Sequence, residues 1–462
     1  MQGKNMTRRA ITRPPDSRAS MTPLERRSVA VLASIYGFRI FGLFLVFPVF
    51  APYAGTLAPH APILVGLALG IYGLTQALLQ IPSGMASDLF GRKAVMSAGL
   101  LVFAIGSLVA GFAHGIWGLI LGRAVQGAGA ISAATMALTA DLTRESQRTK
   151  AMAAIGITIG AAFSLSMVLS PALLGPLGVP GIFKLTAMLA MTAIGVLWWK
   201  VPNPGRPLAF ESPAALRDIL RDRRLWPLDA GIFFLHMTLT ALFVVLPGTL
   251  VGTAGIPLAQ QWEIYLPVIG AAFLTMGPFI HMGHRAPKKV VLGAVGLLAL
   301  AECIYAAAHS NVIALAIGMW FFFTGFSLLE SVFPSLISRL VPAHSKGAAI
   351  GIYSTSQFSG AFIGGFFGGA LAQGFGAEAV FIGSLAVLLV WLGLAARTPE
   401  PTLLQSRELR IDRERARSAS IVRDLSALPG VTEVVLVADE GLAYLKIDPK
   451  IFKEADLKAF TG

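Results

Sequence analysis

Apolar residues run in long blocks along this chain instead of alternating with polar ones. Runs long enough to cross a hydrocarbon core of about 30 Å, which takes about 20 helical residues, occur near 29–53, 63–86, 94–113, 115–141, 150–174 and 180–199. A second six follow near 226–251, 262–282, 290–308, 312–338, 347–372 and 378–396. The pattern predicts an all-α polytopic membrane protein: a tail over 1–28, a six-helix bundle over 29–200, a linker over 201–225 and a second bundle over 226–396. From residue 397 the chain turns polar. Residues 397–417 read as a charged linker, and 418–462 as a small α+β domain. In that domain Ile421, Leu425 and Leu428 recur at helical spacing, a turn follows at Pro429 and Gly430, and 432–438 and 442–447 read as two strands before a last helix at 450–460.

Composition sharpens this picture. Of 462 residues 55% are apolar and 13% charged, against roughly 25% charged in soluble globular chains. Catalytic carboxylate pairs have no place in such a chain, and one cysteine, Cys303, rules out a disulfide scaffold. The net charge of +13 lies wholly in residues 1–396, since basic and acidic residues cancel after 397; a basic tail for nucleic acid is thereby excluded. With the N-terminus inside, the inner segments carry 23 Lys and Arg and the outer loops one, Lys184. The positive-inside rule then places both termini in the cytoplasm, as expected for a cell inner-membrane protein. A signal peptide is the competing reading of the first span, but its apolar stretch is too long and no A-x-A-type site follows.

The two halves echo one another. Leu43-Phe44-Leu45-Val46-Phe47-Pro48 in the first span matches Leu242-Phe243-Val244-Val245-Leu246-Pro247 in the seventh, and Arg92 and Lys93 after span 2 match Lys288 and Lys289 after span 8. Duplicated halves point to a transporter whose site lies between them near the midplane. Its partners would be a small-molecule substrate and the lipid bilayer; no oligomer, cofactor or metal is implied.

Ionisable residues within the spans are functional candidates by default. Arg39 lies about ten residues, ~15 Å, into span 1, and His236 is similarly deep in span 7, so the two could face each other across the cavity. Glu330 in span 10 either exchanges protons or pairs statically with an arginine such as Arg39. His236 suits an interhelical hydrogen bond better than proton carriage, and Glu302 in span 9 is expected to face a neighbouring helix. Arg123 in span 4 either serves the polar interior or snorkels to the outer interface. Phe41, Phe44, Phe47, Tyr72, Gln126, Phe233, Phe234, Tyr353, Gln357 and Phe358, with Met136 and Met167, are the candidates for an apolar substrate cavity.

Between spans 2 and 3 the chain reads Gly84-Met85-Ala86-Ser87-Asp88-Leu89-Phe90-Gly91-Arg92-Lys93. This resembles the signature loop of the major facilitator superfamily, G-x-x-x-D-(R/K)-x-G-R-(R/K), except at Leu89. Arg123-Ala124-Val125-Gln126-Gly127-Ala128-Gly129 is similar to the R-x-x-Q-G-x-G motif of its proton-coupled members. The resemblance implies a twelve-helix fold of two pseudo-symmetric bundles, and a contact between Asp141 and Arg92 that latches the inner gate. Gly156, Gly160, Ser164, Ser170 and Pro171 resemble part of the span-5 motif of drug:proton antiporters.

Four further segments narrow the resemblance: Gly37 to Pro48, Leu235 to Pro247, Glu330 to Arg339 and Gly351 to Phe358. They look like the YajR-type branch of the superfamily, regarded as proton-driven drug efflux proteins with a ferredoxin-like cytoplasmic module after the last span. Relatives of that module bind metal through C-x-x-C, but no cysteine lies after Cys303, so thiolate ligation is ruled out here. The resemblance implies proton-coupled efflux of amphipathic molecules by alternating access, with proton movement through Glu330 or Asp88. Transport of one small metabolite, or a sensor that uses its tail module, are the competing readings. The topology is checked directly: a reporter that matures only in the cytoplasm should be active when fused after Gly462 and inactive when inserted next to Lys184.

Overall fold

The computed structural model describes residues 20–203, 213–341, 346–400, 405–411, 418–437, 441–448, 451–457 and 460. Most of the N-terminal tail, part of the linker before span 7 and parts of the C-terminal domain therefore lie outside the described residues. The helices are α1 (Pro23–Phe44), α2 (Phe47–Leu57), α3 (Pro62–Phe90), α4 (Arg92–Gly111), α5 (Ile116–Ala128), α6 (Ser132–Asp141) and α7 (Glu145–Lys200). They continue as α8 (Pro213–Arg221), α9 (Trp226–Gly252), α10 (Trp262–Arg285), α11 (Pro287–Ala308), α12 (Val312–Leu340), α13 (Lys346–Phe375) and α14 (Ala377–Arg397). Among the described residues eight helices are long and apolar enough to cross a membrane.

All twelve apolar runs fall on these helices, with two departures from unbroken spans. The first run divides into α1 and α2 because Pro48 has no N–H to offer the Phe44 carbonyl one turn back; its echo, Pro247, stays inside a continuous α9. The fourth run breaks between Ala128 and Ser132, where Gly129 leaves helical geometry at ψ 50°. The fifth and sixth runs are two helices that meet at Gly178 (φ 63°, ψ 171°), a non-helical residue between Pro176 and Pro180; α7 denotes the two together.

In hydrocarbon no hydrophobic force draws helices together, so close backbone approach must come from small residues. The two halves meet most closely where α3 crosses α13. A methyl at Gly66 would strike the Gly365 carbonyl, and one at Gly73 the Phe358 carbonyl; one at Gly70 would lie 2.8 Å from the Phe362 carbonyl. The amide of Ile63 donates to Gln373 Oε1 (3.3 Å) at the same end. This seam lies at the end of α3 remote from the 84–93 loop.

The C-terminal domain forms a three-stranded antiparallel sheet, β1 (Gln405–Arg410), β2 (Val431–Val437) and β3 (Leu442–Ile447), in the order β1-β3-β2. A helix, α15 (Ala419–Ser426), covers it, and Leu409, Ile411, Ile421, Leu425, Ala443, Leu445 and Ile447 form its core. The strand β1 lies within the segment read as a charged linker. Its apolar signal is confined to Leu409, because it is an edge strand on which Arg407 and Arg410 are exposed. In place of the expected helix at 450–460, the described residues hold one short turn at Glu454–Leu457. Lys446 of β3 donates to the Val341 carbonyl at the end of α12, which ties the domain to the second bundle.

The glycine seam gives a test. In a Cys303→Ser, Ala361→Cys background, Gly66→Val should raise the labelling rate of Cys at 361 by a water-soluble maleimide. An unchanged rate would show that the seam tolerates a side chain.

Candidate functional site

The 84–93 loop folds around its glycines. Gly91 ends α3 and begins α4 at φ 93°, ψ 141°, a conformation essentially reserved for glycine, and Gly84 lets α3 lie beside Ala133 of α6. This turn brings Asp88 into an ion pair with Arg92, one helical turn on. Arg92 also reaches Asp141 Oδ2 at 3.2 Å and donates to Ser87 Oγ at 2.6 Å. Every member of this network belongs to the first half, so as placed it joins α3, α4 and α6 to one another and does not bridge the halves. Lys93 stands apart from it: its ammonium donates to the Val201 carbonyl (2.9 Å) and lies 4.7 Å from the Trp198 ring. Leu89, which replaces the usual basic residue, is exposed.

Two arginines occupy the interior of the first bundle. Arg39 is 1% exposed. Its Nη2 donates to Tyr72 Oη (2.9 Å), Gln76 Oε1 (2.6 Å) and the Gly129 carbonyl (3.2 Å), and Gln76 donates to Gln80 (2.9 Å). The break between α5 and α6 is what frees the Gly129 carbonyl. Arg123 is 0% exposed, which excludes snorkelling. It donates to Gln126 Oε1 (2.6 Å), and Gln126 donates to Ser107 Oγ (2.8 Å). The Arg123 guanidinium also lies 4.9 Å from the Tyr72 ring. Glycines at 127 and 129 let this segment press on the backbones of α3 and α4. Tyr72 is thus shared by both arginines.

Glu330 does not pair with Arg39. It lies in the second half, 3.4 Å from His236 Nε2, with 26% of its side chain exposed. His236 Nε2 is also 2.8 Å from Gln357 Nε2, a hydrogen bond whose direction follows the imidazole tautomer and amide orientation. Arg39 and His236 are each engaged inside their own half and do not pair across the cavity. Glu302 is fully buried in α11, beside Tyr305 one turn on, away from the interface between halves.

An aromatic group does cross between the halves. Phe44 packs edge-on against Phe47 (5.2 Å) and Phe163 (4.8 Å); Phe47 meets Phe243 of α9 (5.6 Å), and Phe163 stacks on Phe326 of α12 (5.2 Å). Phe326 in turn lies 5.6 Å from the His236 ring, and Tyr72 is 6.1 Å from Phe358. Phe41 and Met136 are half-buried, Met167 fully so. Phe233 and Phe234 leave this group: Phe233 packs on Phe234, which lies against Trp391 of α14. Neighbours in sequence on a helix point in different directions, so a run of candidates cannot all line one cavity. In α7 a methyl at Gly156, Gly160 or Gly175 would meet nothing within 4 Å, so these glycines make no tight helix contact.

Sequence reasoning missed Gln76, Gln80, Phe163, Phe243, Phe326 and Asp229. The two glutamines four apart in an apolar span were a visible signal for a buried polar face. The phenylalanines carried none, being letters among 29. Asp229, half-buried in the first turn of α9, stood too near the span boundary to be counted as intramembrane.

The family described as Major Facilitator Superfamily matches residues 32–283 and 261–438. The inner membrane transport protein YajR of Escherichia coli (strain K12) is 41% identical over 444 residues, 95% of this chain and 98% of that protein. The class G tetracycline resistance protein of Vibrio anguillarum is 33% identical over 156 residues, 33% of this chain and 39% of that protein. Among solved structures, a bacterial homologue of the human lysosomal transporter Spinster shares the fold, with a TM-score of 0.67 at 14% identity over 82% of this chain and 98% of that one.

Removing a partner from a buried charged donor costs about 1–3 kcal/mol or more. Gln76→Leu, similar in volume, should therefore lower the thermal midpoint in detergent by several degrees. Gln80→Leu should cost less, because Gln80 reaches Arg39 only through Gln76. Equal midpoints for Gln76→Leu and the parent would refute the network's stabilising role.

Proposed function

This chain belongs to the major facilitator superfamily, whose members are membrane transporters and not enzymes, and on that premise we propose that it is a proton-coupled antiporter exporting amphipathic organic molecules across the inner membrane. The location follows the name of the YajR relative. The orientation, both termini cytoplasmic, rests on the basic inner segments.

The observation that carries the reading is the Glu330–His236 pair beside the aromatic group at the seam between halves. The cost of a charge on Glu330 depends on whether water reaches it, so its proton occupancy can follow the alternation of access. Fixed cations, Arg39 and Arg123, sit in the opposite half, and a protonation change on Glu330 alters the electrostatic balance between the two. Aromatic and methionine side chains favour apolar, variable ligands over polar sugars, and the likeness to a tetracycline resistance protein points the same way. The Asp88, Arg92 and Asp141 network keeps the loop end of the first half rigid while the halves rock. The C-terminal sheet and helix are read as a reduced ferredoxin-like module that tunes the carrier through Lys446 without being needed for flux.

In proteoliposomes, Glu330→Gln should abolish coupling of dye efflux to an imposed pH gradient while the protein stays folded, and undiminished coupled efflux would overturn the assignment. Asp88→Asn should abolish transport with the thermal midpoint retained. Deleting residues 400–462 should leave flux intact; a sensor, by contrast, would lose all output.

A further inference from the structure

The linker between the halves is framed by tryptophans. Trp198 and Trp199 lie at the end of α7 and Trp226 opens α9, all three more than half exposed. A cation lies by each ring: Lys93 at 4.7 Å from Trp198, Lys200 at 3.3 Å from Trp199 and Arg223 at 6.0 Å from Trp226. Exposed tryptophans at the ends of membrane helices settle at the level of the lipid headgroups, where an apolar ring meets a polar edge. The linker therefore begins and ends at that level.

Helix α8 lies in this stretch and packs on α13. In its last turn Ile219 is buried, while Arg217, Asp218, Leu220 and Arg221 are exposed. Successive residues turn by about 100°, so with Ile219 inward both arginines point away from the protein, Leu220 lies on one flank and Asp218 on the other. The Trp226 indole donates to the Leu220 carbonyl at 3.0 Å, which ties the end of α8 to the interfacial ring. A helix held at headgroup level with these flanks has one favourable orientation: Leu220 toward hydrocarbon, Asp218 toward water and the guanidinium groups between them, along the plane of the phosphates. Asp222 does not neutralise them, being paired with Arg224 at 2.6 Å, and among the described residues neither Arg217 nor Arg221 is in an ion pair.

We propose that α8 is a binding surface for anionic phospholipids, with Arg217 and Arg221 on the headgroup phosphates and Leu220 against the upper part of an acyl chain. A soluble polyanion would meet the same arginines but would leave Leu220 and Trp226, both more than half exposed, in water. Because α8 rides on α13 of the second half while the linker starts from α7 of the first, bound lipid holds the connection between the halves at one level of the bilayer. This surface is independent of which acid carries a proton.

The test reads the lipid next to α8. Full-length protein carrying Cys303→Ser and Leu220→Cys, with a fluorophore at position 220, is reconstituted in mixed liposomes in which either phosphatidylglycerol or phosphatidylcholine is brominated in the acyl chain, at equal mole fractions. Brominated phosphatidylglycerol should quench the label as though enriched at least about fivefold over its bulk fraction, as two arginines at an anionic surface imply. Combining Arg217→Gln with Arg221→Gln should bring that enrichment close to one. Equal quenching by the two lipids, or parental enrichment in the double variant, overturns the proposal. So does a label that neither lipid quenches, which would put the Leu220 flank in water. Thermal midpoints check folding, and if the double variant does not fold, Arg221→Gln alone decides, an enrichment unchanged from the parent overturning the proposal.

Discussion

Two guanidinium groups sit in the hydrocarbon-embedded interior of the first bundle, and among the described residues no carboxylate is hydrogen-bonded to either. Burying a charge is costly unless hydrogen-bond acceptors meet it, and part of that bundle's architecture answers this need, although Arg39 Nε and Nη1 and Arg123 Nε have no hydrogen-bond partner among the described residues. Gln76 and Gln126 supply side-chain acceptors, Gln80 in turn accepts from Gln76, Tyr72 supplies a hydroxyl to Arg39 and a ring face to Arg123, and the interrupted fourth span supplies the Gly129 carbonyl. The glycines of the 123–129 segment then have a double purpose. They end a helix where a free carbonyl is wanted, and they let α5 approach α3 closely enough for Arg123 to reach the Tyr72 ring.

The second bundle is built on the opposite plan. Its interior polar groups, His236, Glu330, Gln357 and Tyr353, are titratable or neutral, and among the described residues no arginine or lysine lies with them in mid-span. The pseudo-symmetric halves are therefore chemically unequal, one holding two arginines and the other a carboxyl, an imidazole and a phenol. Aromatic contacts Phe47 to Phe243 and Phe163 to Phe326 join them at one level and the α3–α13 glycine seam at another. Ring packing tolerates sliding, whereas backbone contact at glycine is closed or open. The seam is thus the more switch-like of the two contacts.

Much of this was legible in the chain itself. Span positions, the six-plus-six repeat, the signature loop and the isolation of Arg39, Arg123, His236 and Glu330 in apolar surroundings follow from hydropathy and spacing, because in a bilayer every ionisable residue is conspicuous. The core positions of α15 and the strands β2 and β3 followed from periodicity. What hydropathy could not reveal were breaks inside apolar runs, since Pro48 and Gly129 change geometry without changing polarity. The charged edge strand β1 was hidden for the opposite reason: it resembles a linker in composition and becomes a strand only by pairing with β3.

The sequence by itself determined the class of molecule, where its apolar runs fall and which ionisable side chains stand within them, since length, apolarity and charge placement are local properties. Only the tertiary structure decided who partners whom: Glu330 with His236 and not Arg39, Lys93 with Val201 and Trp198 and not the Arg92 network, Phe233 with the flank and not the seam. Partnership depends on which way each helix face turns and how near two backbones come. Those are set by glycine contacts and helix breaks between segments far apart in the chain.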